Sequence, residues 1–158
     1  MLGTTILLSI APQVFPEQWL YLFLGVLIFF LTTLVPVELF KTFSAPLYWI
    51  GLSSLTLPFV LGTLTRGAIR WVQIGPTSFQ PSELIKPTLL IFFASYLSRQ
   101  PPRFFRSFLY LLPPTVLVLL QPNLGTAAVF VVGWLGCSLS RGISIKKFAV
   151  FALLAIIL

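Results

Sequence analysis

The sequence predicts an all-α protein, a polytopic bundle of membrane-spanning helices. Of its 158 residues, 58% are hydrophobic and only 8% are charged, and the mean hydropathy is +1.03. A soluble domain is about a quarter charged. Long apolar runs recur along the whole chain. Because a backbone inside the bilayer must satisfy its own hydrogen bonds, we expect these runs to be helices.

Five complete spans follow from the apolar runs. In chain order they are Gln18–Val37, Phe43–Gly62, Ser82–Ser98, Phe104–Leu120 and Leu124–Ser140. The opening stretch, residues 1–12, and the closing stretch after Lys146 are each too short to cross a bilayer, which takes about 20 residues. We therefore expect partial helices at both ends, and residues 1–158 to form a single membrane domain at the N-terminal side of a longer protein.

The distribution of Lys and Arg predicts the orientation of these spans. If the opening stretch ends outside, the outer loops hold only Arg66 and Arg70. The inner loops then hold seven basic residues, namely Lys41, Arg99, Arg103, Arg106, Arg141, Lys146 and Lys147. This agrees with the excess of positive charge in cytoplasmic loops. Topology thus explains the net charge of +7, and a nucleic-acid partner is not expected.

The positions of the aromatic residues and the low content of cysteine and histidine lead to two further expectations. Trp19, Tyr21, Tyr48, Trp49 and Tyr96 lie near span ends, where interfacial aromatic residues are common. The chain has one cysteine and no histidine. We therefore expect neither a metal site nor an intramolecular disulfide.

A polar stretch, GAIRWVQIGPTSFQPSELIK at 67–86, separates the second and third spans. Pro81 suits the first turn of a helix, where its missing N–H is not needed. Ser82 and Glu83 then lie in that first turn, where the partial positive charge of a helix start favours a carboxylate. Lys86 follows three residues after Glu83, so Ser82, Glu83 and Lys86 are predicted to share one helix face.

Two interpretations of Glu83 and Lys86 remain open. They form either a structural salt bridge at a helix mouth, with Lys86 extending toward the interface, or part of an outward-facing polar cavity, because ionisable groups inside membranes mark functional sites by default. In such a cavity, Arg70 and Lys86 are suited to hold an anionic group such as a pyrophosphate. Trp71 is then either an interfacial anchor or a stacking surface for a sugar or lipid.

A second polar stretch, QPNLGTA at 121–127, lies between the fourth and fifth spans. Gln121, Pro122 and Asn123 predict a tight outer turn, and Asn123 is expected to cap the fifth helix. Gly125 and the small residues that follow it, through position 128, are expected to allow close helix packing. We assign these residues a structural role.

The two stretches carry a resemblance to a known family. The first resembles the signature of the FtsW/RodA/SpoVE (SEDS) family, G-A-x-R-W-[IV]-x-[IL]-G followed by F-Q-P-S-E-[LI]-x-K. The matching residues are Gly67, Ala68, Arg70, Trp71, Gly75, Phe79, Gln80, Pro81, Ser82, Glu83 and Lys86. QPNLGTA resembles the family's Q-P-D-L-G-T-[AS]. The resemblance covers the whole chain but only about half of a ten-helix member, and the five spans correspond to helices two to six.

The resemblance implies a peptidoglycan glycosyltransferase of the bacterial cytoplasmic membrane. Such a protein polymerises lipid II together with a class B penicillin-binding protein, in cell division or cell-shape maintenance, and uses no cofactor. The resemblance implies that Glu83 and Lys86 line the substrate cavity, and we assign Gln80 and Ser82, which belong to the same motif, to that cavity as well. It also implies that the catalytic Asp lies in an outer loop beyond residue 158, so we assign no catalytic residue here. The Arg70–Trp71 pair matches a motif whose integrity the family needs.

The chain departs from the family pattern at two positions. Asn123 stands where the family usually has Asp, and Pro87 follows Lys86 where an apolar helix former is usual. Asn123 retains the ability to cap a helix, and Pro87 is expected to tilt the start of its helix. Two alternative functions remain, a lipid II transporter (flippase) and a non-catalytic membrane component of the division or elongation machinery.

Overall fold

The structure is a computed structural model that describes residues 15–65, 68–75, 77–98 and 103–144, with positions 146 and 149. Within these residues the chain forms six helices and three strands. They are α1 (Phe15–Thr33), α2 (Val37–Ser54), α3 (Leu57–Leu61), β1 (Gly62–Thr65), β2 (Ala68–Ile74), β3 (Thr77–Phe79), α4 (Pro81–Leu97), α5 (Phe104–Leu120) and α6 (Leu124–Ser140). The expectations for the opening stretch, for the end of the chain and for Arg66, Gly67, Arg99 and Lys147 lie outside the described residues.

Three of the five predicted spans coincide with helices. The bounds of α5 and α6 are those predicted, and α4 begins and ends one residue earlier. The first two predicted spans are shifted. A new helix begins at Val37, just after Pro36, whose carbonyl accepts a hydrogen bond from the N–H of Leu39 at 3.0 Å. Lys41 therefore lies within α2 rather than in a loop.

The second predicted span, 43–62, is not one continuous helix. Its helix ends at Ser54, and a two-residue break separates it from the short α3, which has Pro58 in its first turn. Proline suits the first turn of a helix because the N–H that it lacks would have no hydrogen-bond partner within the helix there. Gly62, the predicted last residue of this span, is instead the first residue of a strand.

A small antiparallel sheet, which the all-α prediction did not include, connects α3 to α4. Its strand order is β1-β2-β3, and β2 contacts both α3 and α4. The helical architecture is confirmed, and this sheet is an addition to it, confined to the described parts of residues 62–79.

By internal contacts the chain divides into two units, residues 1–39 and 40–158. In the first unit, α1 exposes large apolar side chains in every direction. Between 50% and 65% of the surface of Trp19, Tyr21, Phe23, Phe29 and Phe30 is accessible. Apolar exposure around a whole helix is typical of a helix that lies in lipid.

One segment of the described chain is long and apolar enough to cross a membrane by length and composition, namely Val37–Leu61. The helices Gln18–Thr33, Phe104–Leu120 and Leu124–Ser140 are apolar but shorter.

The second unit is a bundle of α2, α4, α5 and α6. Its core contains stacked aromatic rings, with the centroids of Tyr48 and Phe92 4.4 Å apart and the ring of Tyr110 edge-on to both. Tyr48 is 1% exposed. Tyr48 is therefore in the interior of the bundle, whereas its neighbour Trp49 is exposed.

Small residues allow the helices of the bundle to approach closely. A Cβ atom on Gly51 would lie 2.8 Å from the side chain of Ile85, between α2 and α4. A Cβ atom on Gly133 would lie 2.7 Å from the side chain of Leu90, between α4 and α6. A larger side chain at Gly51 would displace the buried Ile85 side chain, and one at Gly133 would displace the end of the exposed Leu90 side chain.

Two prolines within α5 leave helix carbonyls without their usual partner. Pro114 has no N–H to donate to the carbonyl of Tyr110, four residues earlier. The hydroxyl of Tyr48 donates to that carbonyl instead, at 2.8 Å. A side chain on α2 thus replaces the missing backbone bond of α5, as is required inside a membrane.

Removal of the Tyr48 hydroxyl is expected to destabilise the bundle modestly. We expect Tyr48→Phe to lower the free energy of unfolding by about 0.6–1.7 kcal/mol, which are the average and the maximum measured for hydrogen bonds between membrane helices. The measurement is denaturation in detergent, repeated in a Pro114→Ala background. There the N–H introduced at position 114 can bond the Tyr110 carbonyl, so the loss should be smaller. Equal losses in both backgrounds would contradict this account.

At the end of the bundle away from the sheet, side chains tie the helices together. The indole N–H of Trp134 donates to the hydroxyl of Ser107 at 2.9 Å. The guanidinium of Arg141 donates from Nε to the carbonyl of Leu97 and from Nη2 to that of Ser98, both at 3.0 Å. Carbonyls at the end of α4, which lack partners within the helix, are satisfied in this way.

Candidate functional site

The motif residues meet at one end of the bundle, which we call the signature end. Here α2 and α5 end, α4 and α6 begin, and the sheet connects α3 to α4. A hydrogen bond of 2.7 Å from the side chain of Gln121 to the carbonyl of Leu55 joins the end of α5 to the end of α2. Both signature stretches thus contribute to the same end of the fold.

The sheet positions the Arg-Trp pair. Ile74 pairs with Thr77 across a tight turn in which Gly75 has a φ of 63°. Glycine reaches this left-handed conformation at no steric cost. The turn reverses the chain, so that Val72 pairs with Phe79 immediately before Gln80.

Arg70 lies at an irregularity in the pairing of β1 with β2. Thr63 is opposite Trp71 while Leu64 is opposite Ile69, so Arg70 is the extra residue on β2. Bulges of this kind redirect a side chain and are common beside functional sites. The Nε atom of Arg70 is buried and has no hydrogen-bond partner within the described chain. Arg70 is therefore a cation whose hydrogen-bonding capacity is not fully used.

Trp71 follows Arg70 on β2 and is partly buried. It is therefore neither a core residue nor fully accessible. This exposure fits both the anchoring and the stacking interpretation.

The start of α4 carries the rest of the motif. Pro81 occupies the first turn, as predicted, and the carbonyl of Gln80 accepts a hydrogen bond from the N–H of Glu83 at 3.1 Å. The side-chain amide of Gln80 donates to the hydroxyl of Ser82 at 2.9 Å. Ser82 is fully buried.

Glu83 and Lys86 form an ion pair. The Nζ atom of Lys86 lies 2.7 Å from both carboxylate oxygens of Glu83. The side chain of Lys86 is 27% exposed and that of Glu83 is 55% exposed. The predicted three-residue face is therefore divided, because Ser82 points into the bundle and binds Gln80, while Glu83 and Lys86 bind each other.

Pro87 affects the backbone beside this ion pair. Because it has no N–H, it cannot donate to the carbonyl of Glu83, four residues earlier. The helix nevertheless continues through Pro87 to Leu97. The start of α4 thus combines a neutral ion pair with a carbonyl that lacks its usual helical donor.

The 121–123 turn forms as predicted. The carbonyl of Val118 accepts hydrogen bonds from the N–H groups of Gln121 and Asn123, both at 3.2 Å. The side-chain oxygen of Asn123 accepts from the N–H of Thr126 at 3.2 Å, so Asn123 caps α6. The exposed Pro122 lies between them.

The residues after the turn differ in burial. Thr126 and Ala127 are buried in the bundle. Gly125 and Ala128 are exposed, and no other helix or loop of the described chain has an atom within 4 Å of the position that a Cβ of Gly125 would take. Close packing at Gly125 is not seen among the described residues, where the packing is made by the two residues that follow it.

The Asn123 cap gives a direct test of the departure from the family pattern. We expect Asn123→Ala to lower the free energy of unfolding by about 1 kcal/mol, the usual effect of losing a capping side chain. Asn123→Asp should retain the stability of the wild type, because Asp caps equally well. Thermal unfolding in detergent measures both. A loss of stability in Asn123→Asp equal to that of Asn123→Ala would show that the hydrogen bond to Thr126 is unimportant.

The sequence predicts Gln121 as a turn residue but does not predict its contact with the end of α2. Gln121 is 1% exposed, and its side-chain amide bonds Leu55, a residue 66 positions earlier. A buried glutamine next to a turn was the available signal, but nothing in the sequence identifies the partner.

The fold and the site together define a membrane-type helical bundle with a polar, partly charged site at one end. The family model described as "Cell cycle protein", of FtsW, RodA and SpoVE, matches residues 7–158. This chain belongs to the FtsW/RodA/SpoVE family, whose members are integral membrane proteins.

Curated relatives include two proteins named probable peptidoglycan glycosyltransferase FtsW. The one from Coxiella burnetii is 31% identical over 149 residues, which are 89% of this chain and 40% of that protein. The one from Buchnera aphidicola is 30% identical over 139 residues, 84% of this chain and 37% of that protein. The chain thus spans about two fifths of the length of these relatives.

Two solved structures resemble the fold. The rod shape determining protein RodA from Thermus thermophilus is 34% identical, with a TM-score of 0.82 over 96% of this chain and 54% of that one. A second, from a study titled "Structural coordination of polymerization and crosslinking by a peptidoglycan synthase complex", is also 34% identical, with a TM-score of 0.78 over 99% of this chain and 48% of that one.

Proposed function

We propose that this protein is a peptidoglycan glycosyltransferase that polymerises lipid II in the bacterial cytoplasmic membrane. The observation that carries the proposal is the convergence of both signature stretches at one end of the bundle. The sheet with Arg70, the start of α4 with Glu83 and Lys86, and the turn with Asn123 are all found there. The names of the matched relatives support the same activity.

In this proposal α1, α2 with α3, α4, α5 and α6 cross the membrane, and the signature end faces outward. The exposed basic residues Lys41, Arg103, Arg106 and Lys146 then lie toward the cytoplasm. This arrangement follows the positive-inside rule. It gives the site access to a precursor whose sugar is outside the cell.

The residues at the signature end have separate roles in the proposed reaction. Arg70 is a better candidate than Lys86 for holding the pyrophosphate of the leaving group, because its Nε has no hydrogen-bond partner among the described residues and guanidinium suits phosphate geometry. Lys86 is held by Glu83, so the pair as a whole is neutral and its carboxylate orients the ammonium. Positive groups of this kind stabilise the charge that develops as the glycosidic bond forms and the phosphate departs.

The base that takes the proton from the acceptor sugar hydroxyl is, in this proposal, a carboxylate outside residues 1–158. A class B penicillin-binding protein is the proposed partner. The second solved structure, from a study of polymerization and crosslinking by a peptidoglycan synthase complex, supports the pairing with a crosslinking partner.

The test is a polymerisation assay of the protein as encoded by its gene, purified with its penicillin-binding partner and supplied with fluorescent lipid II. The expected product is glycan polymer, resolved by gel electrophoresis. A parallel assay measures transfer of labelled lipid II across liposome bilayers. Transfer without polymer would replace the proposal with a transporter, and neither activity would favour a non-catalytic component.

A further inference from the structure

Gln121 connects two parts of the signature end that are distant in sequence. It is the first residue after α5, and its amide nitrogen donates to the carbonyl of Leu55 at 2.7 Å. Both residues are buried, at 1% and 0% exposure. The bond therefore forms out of contact with water, where a hydrogen bond is electrostatically stronger.

The carbonyl of Leu55 lies at the break between α2 and α3. Carbonyls at a helix end have no partner within the helix. The N–H of Phe59, which would have reached Leu55 in a continuous helix, donates to the carbonyl of Thr56 instead, at 3.1 Å. Gln121 thus supplies the donor that this break leaves missing.

The break is the point from which the sheet begins. Only Thr56 and the five-residue α3 separate Leu55 from β1, and β1 pairs directly with β2, which carries Arg70. The hydrogen bond that holds the Leu55 carbonyl therefore also holds the start of the segment that carries Arg70.

The oxygen of the same Gln121 amide argues against a simple space-filling role. Its Oε1 atom is buried and has no hydrogen-bond partner within the described chain. An unpaired buried amide oxygen carries a desolvation cost, which an apolar side chain of the same shape would avoid. The contribution of the glutamine is thus its N–H donor.

We propose that Gln121 is a positioning residue for the signature end. Through its hydrogen bond to the Leu55 carbonyl, Gln121 holds the sheet that carries Arg70 in a fixed position relative to α4 and α6. This inference rests on the proposed function for its kinetic consequence but not for its structural one. Gln121 does not itself touch the substrate in this proposal. Its loss should weaken precursor binding and leave the chemical step largely unchanged.

The experiment replaces Gln121 with methionine in the protein as encoded by its gene. Methionine has a similar length and volume but no N–H donor. We expect the KM for lipid II to rise about threefold to tenfold, the effect of one lost interhelical hydrogen bond, with kcat within about twofold of the wild type. The control is Gln73→Met, which makes the same change at an exposed glutamine of β2 and should alter neither constant.

A distance measurement tests the positioning without any assay of activity. Spin labels are placed at Ser78 on β3 and at Leu124 at the start of α6, both exposed, in a Cys137→Ser background. The distribution of distances between the labels should be narrow in the otherwise unchanged protein and in Gln73→Met, and broader in Gln121→Met. If Gln121→Met does not fold, Gln121→Asn, which retracts the amide by one methylene, is judged by the same criteria.

The outcomes separate this inference from the proposed function. If the unchanged protein makes no polymer, the proposed function fails, and the spin-label distances still decide whether Gln121 positions the sheet. An unchanged distribution in Gln121→Met overturns the inference. So does a variant with wild-type KM whose only defect is a lower melting temperature, because Gln121 would then be merely structural.

Discussion

Replacing Lys86 with alanine is expected to reduce lipid II polymerisation about a hundredfold or more while the protein still inserts into the membrane. The ammonium of Lys86 lies 2.7 Å from both carboxylate oxygens of Glu83, so its removal leaves that carboxylate unpaired beside the site. Loss of one group that stabilises transition-state charge typically costs a factor of 10² to 10³ in kcat. Glu83→Ala should have a similar effect, because the remaining ammonium loses its orientation.

The exchanged pair separates a catalytic role from a structural one. The double variant Glu83→Lys with Lys86→Glu restores an ion pair at the same two positions. If the pair only stabilises the helix start, the exchange should recover both stability and activity. We expect recovery of most of the stability but not of the activity, since the ammonium would then be one turn closer to the helix start and differently placed.

The measurement is polymer yield per molecule of folded protein. Lys41→Ala is the matched control, because Lys41 is an exposed lysine on α2, away from the signature end. It should retain wild-type activity. Normal polymerisation in both Lys86→Ala and Glu83→Ala, or full activity in the exchanged pair, would contradict the proposed role.

The largest loss of stability is expected for Trp134→Ala. Trp134 is fully buried, donates a hydrogen bond to Ser107 and packs its ring 5.5 Å from that of Phe108. Truncation of a buried aromatic side chain to alanine removes its packing and leaves a cavity, at a cost of about 3–5 kcal/mol. We therefore expect Trp134→Ala in detergent to unfold at a much lower temperature, or at a much lower concentration of denaturant, than the wild type.

A further variant, Trp134→Phe, divides this loss between packing and hydrogen bonding, and a second variant serves as the control. Trp134→Phe keeps a ring but loses the N–H donor, so its stability should be intermediate. Trp19→Ala is the control, because Trp19 is 50% exposed and its truncation leaves no enclosed cavity. Trp134→Ala as stable as Trp19→Ala would show that the core between α5 and α6 is not packed as described.

The helices could be predicted best where the sequence has clear end signals. The bounds of α5 and α6 were correct because polar residues, Pro122 and Gly142 interrupt the apolar runs there. The first span was predicted to end at Val37, too late in the chain, because Pro36 was taken as part of that span. Proline suits the start of the next helix instead. Hydropathy alone does not register this difference, since Pro36 is flanked by valines.

The sheet was not predicted although the sequence carries a signal for it, and the long-range contacts have no local sequence signal. A Gly-Pro turn between β-branched and aromatic residues was a signal for the hairpin, but it was read as a membrane-external loop. The contacts of Tyr48 with the Tyr110 carbonyl and of Gln121 with the Leu55 carbonyl join residues 62 and 66 positions apart. Such pairs depend on helix packing, which no local pattern specifies.

The position of Arg141 has an electrostatic consequence for the whole bundle. The helices α4 and α6 pack side by side and run in the same direction, so their macrodipoles are parallel and repel each other. Arg141 follows the last turn of α6 and donates to the final carbonyls of α4. One guanidinium thus offsets the negative poles of two helices at once. Lysine lacks the planar fork with which arginine binds both carbonyls. An uncharged residue would leave the two negative helix ends side by side without a neighbouring positive charge.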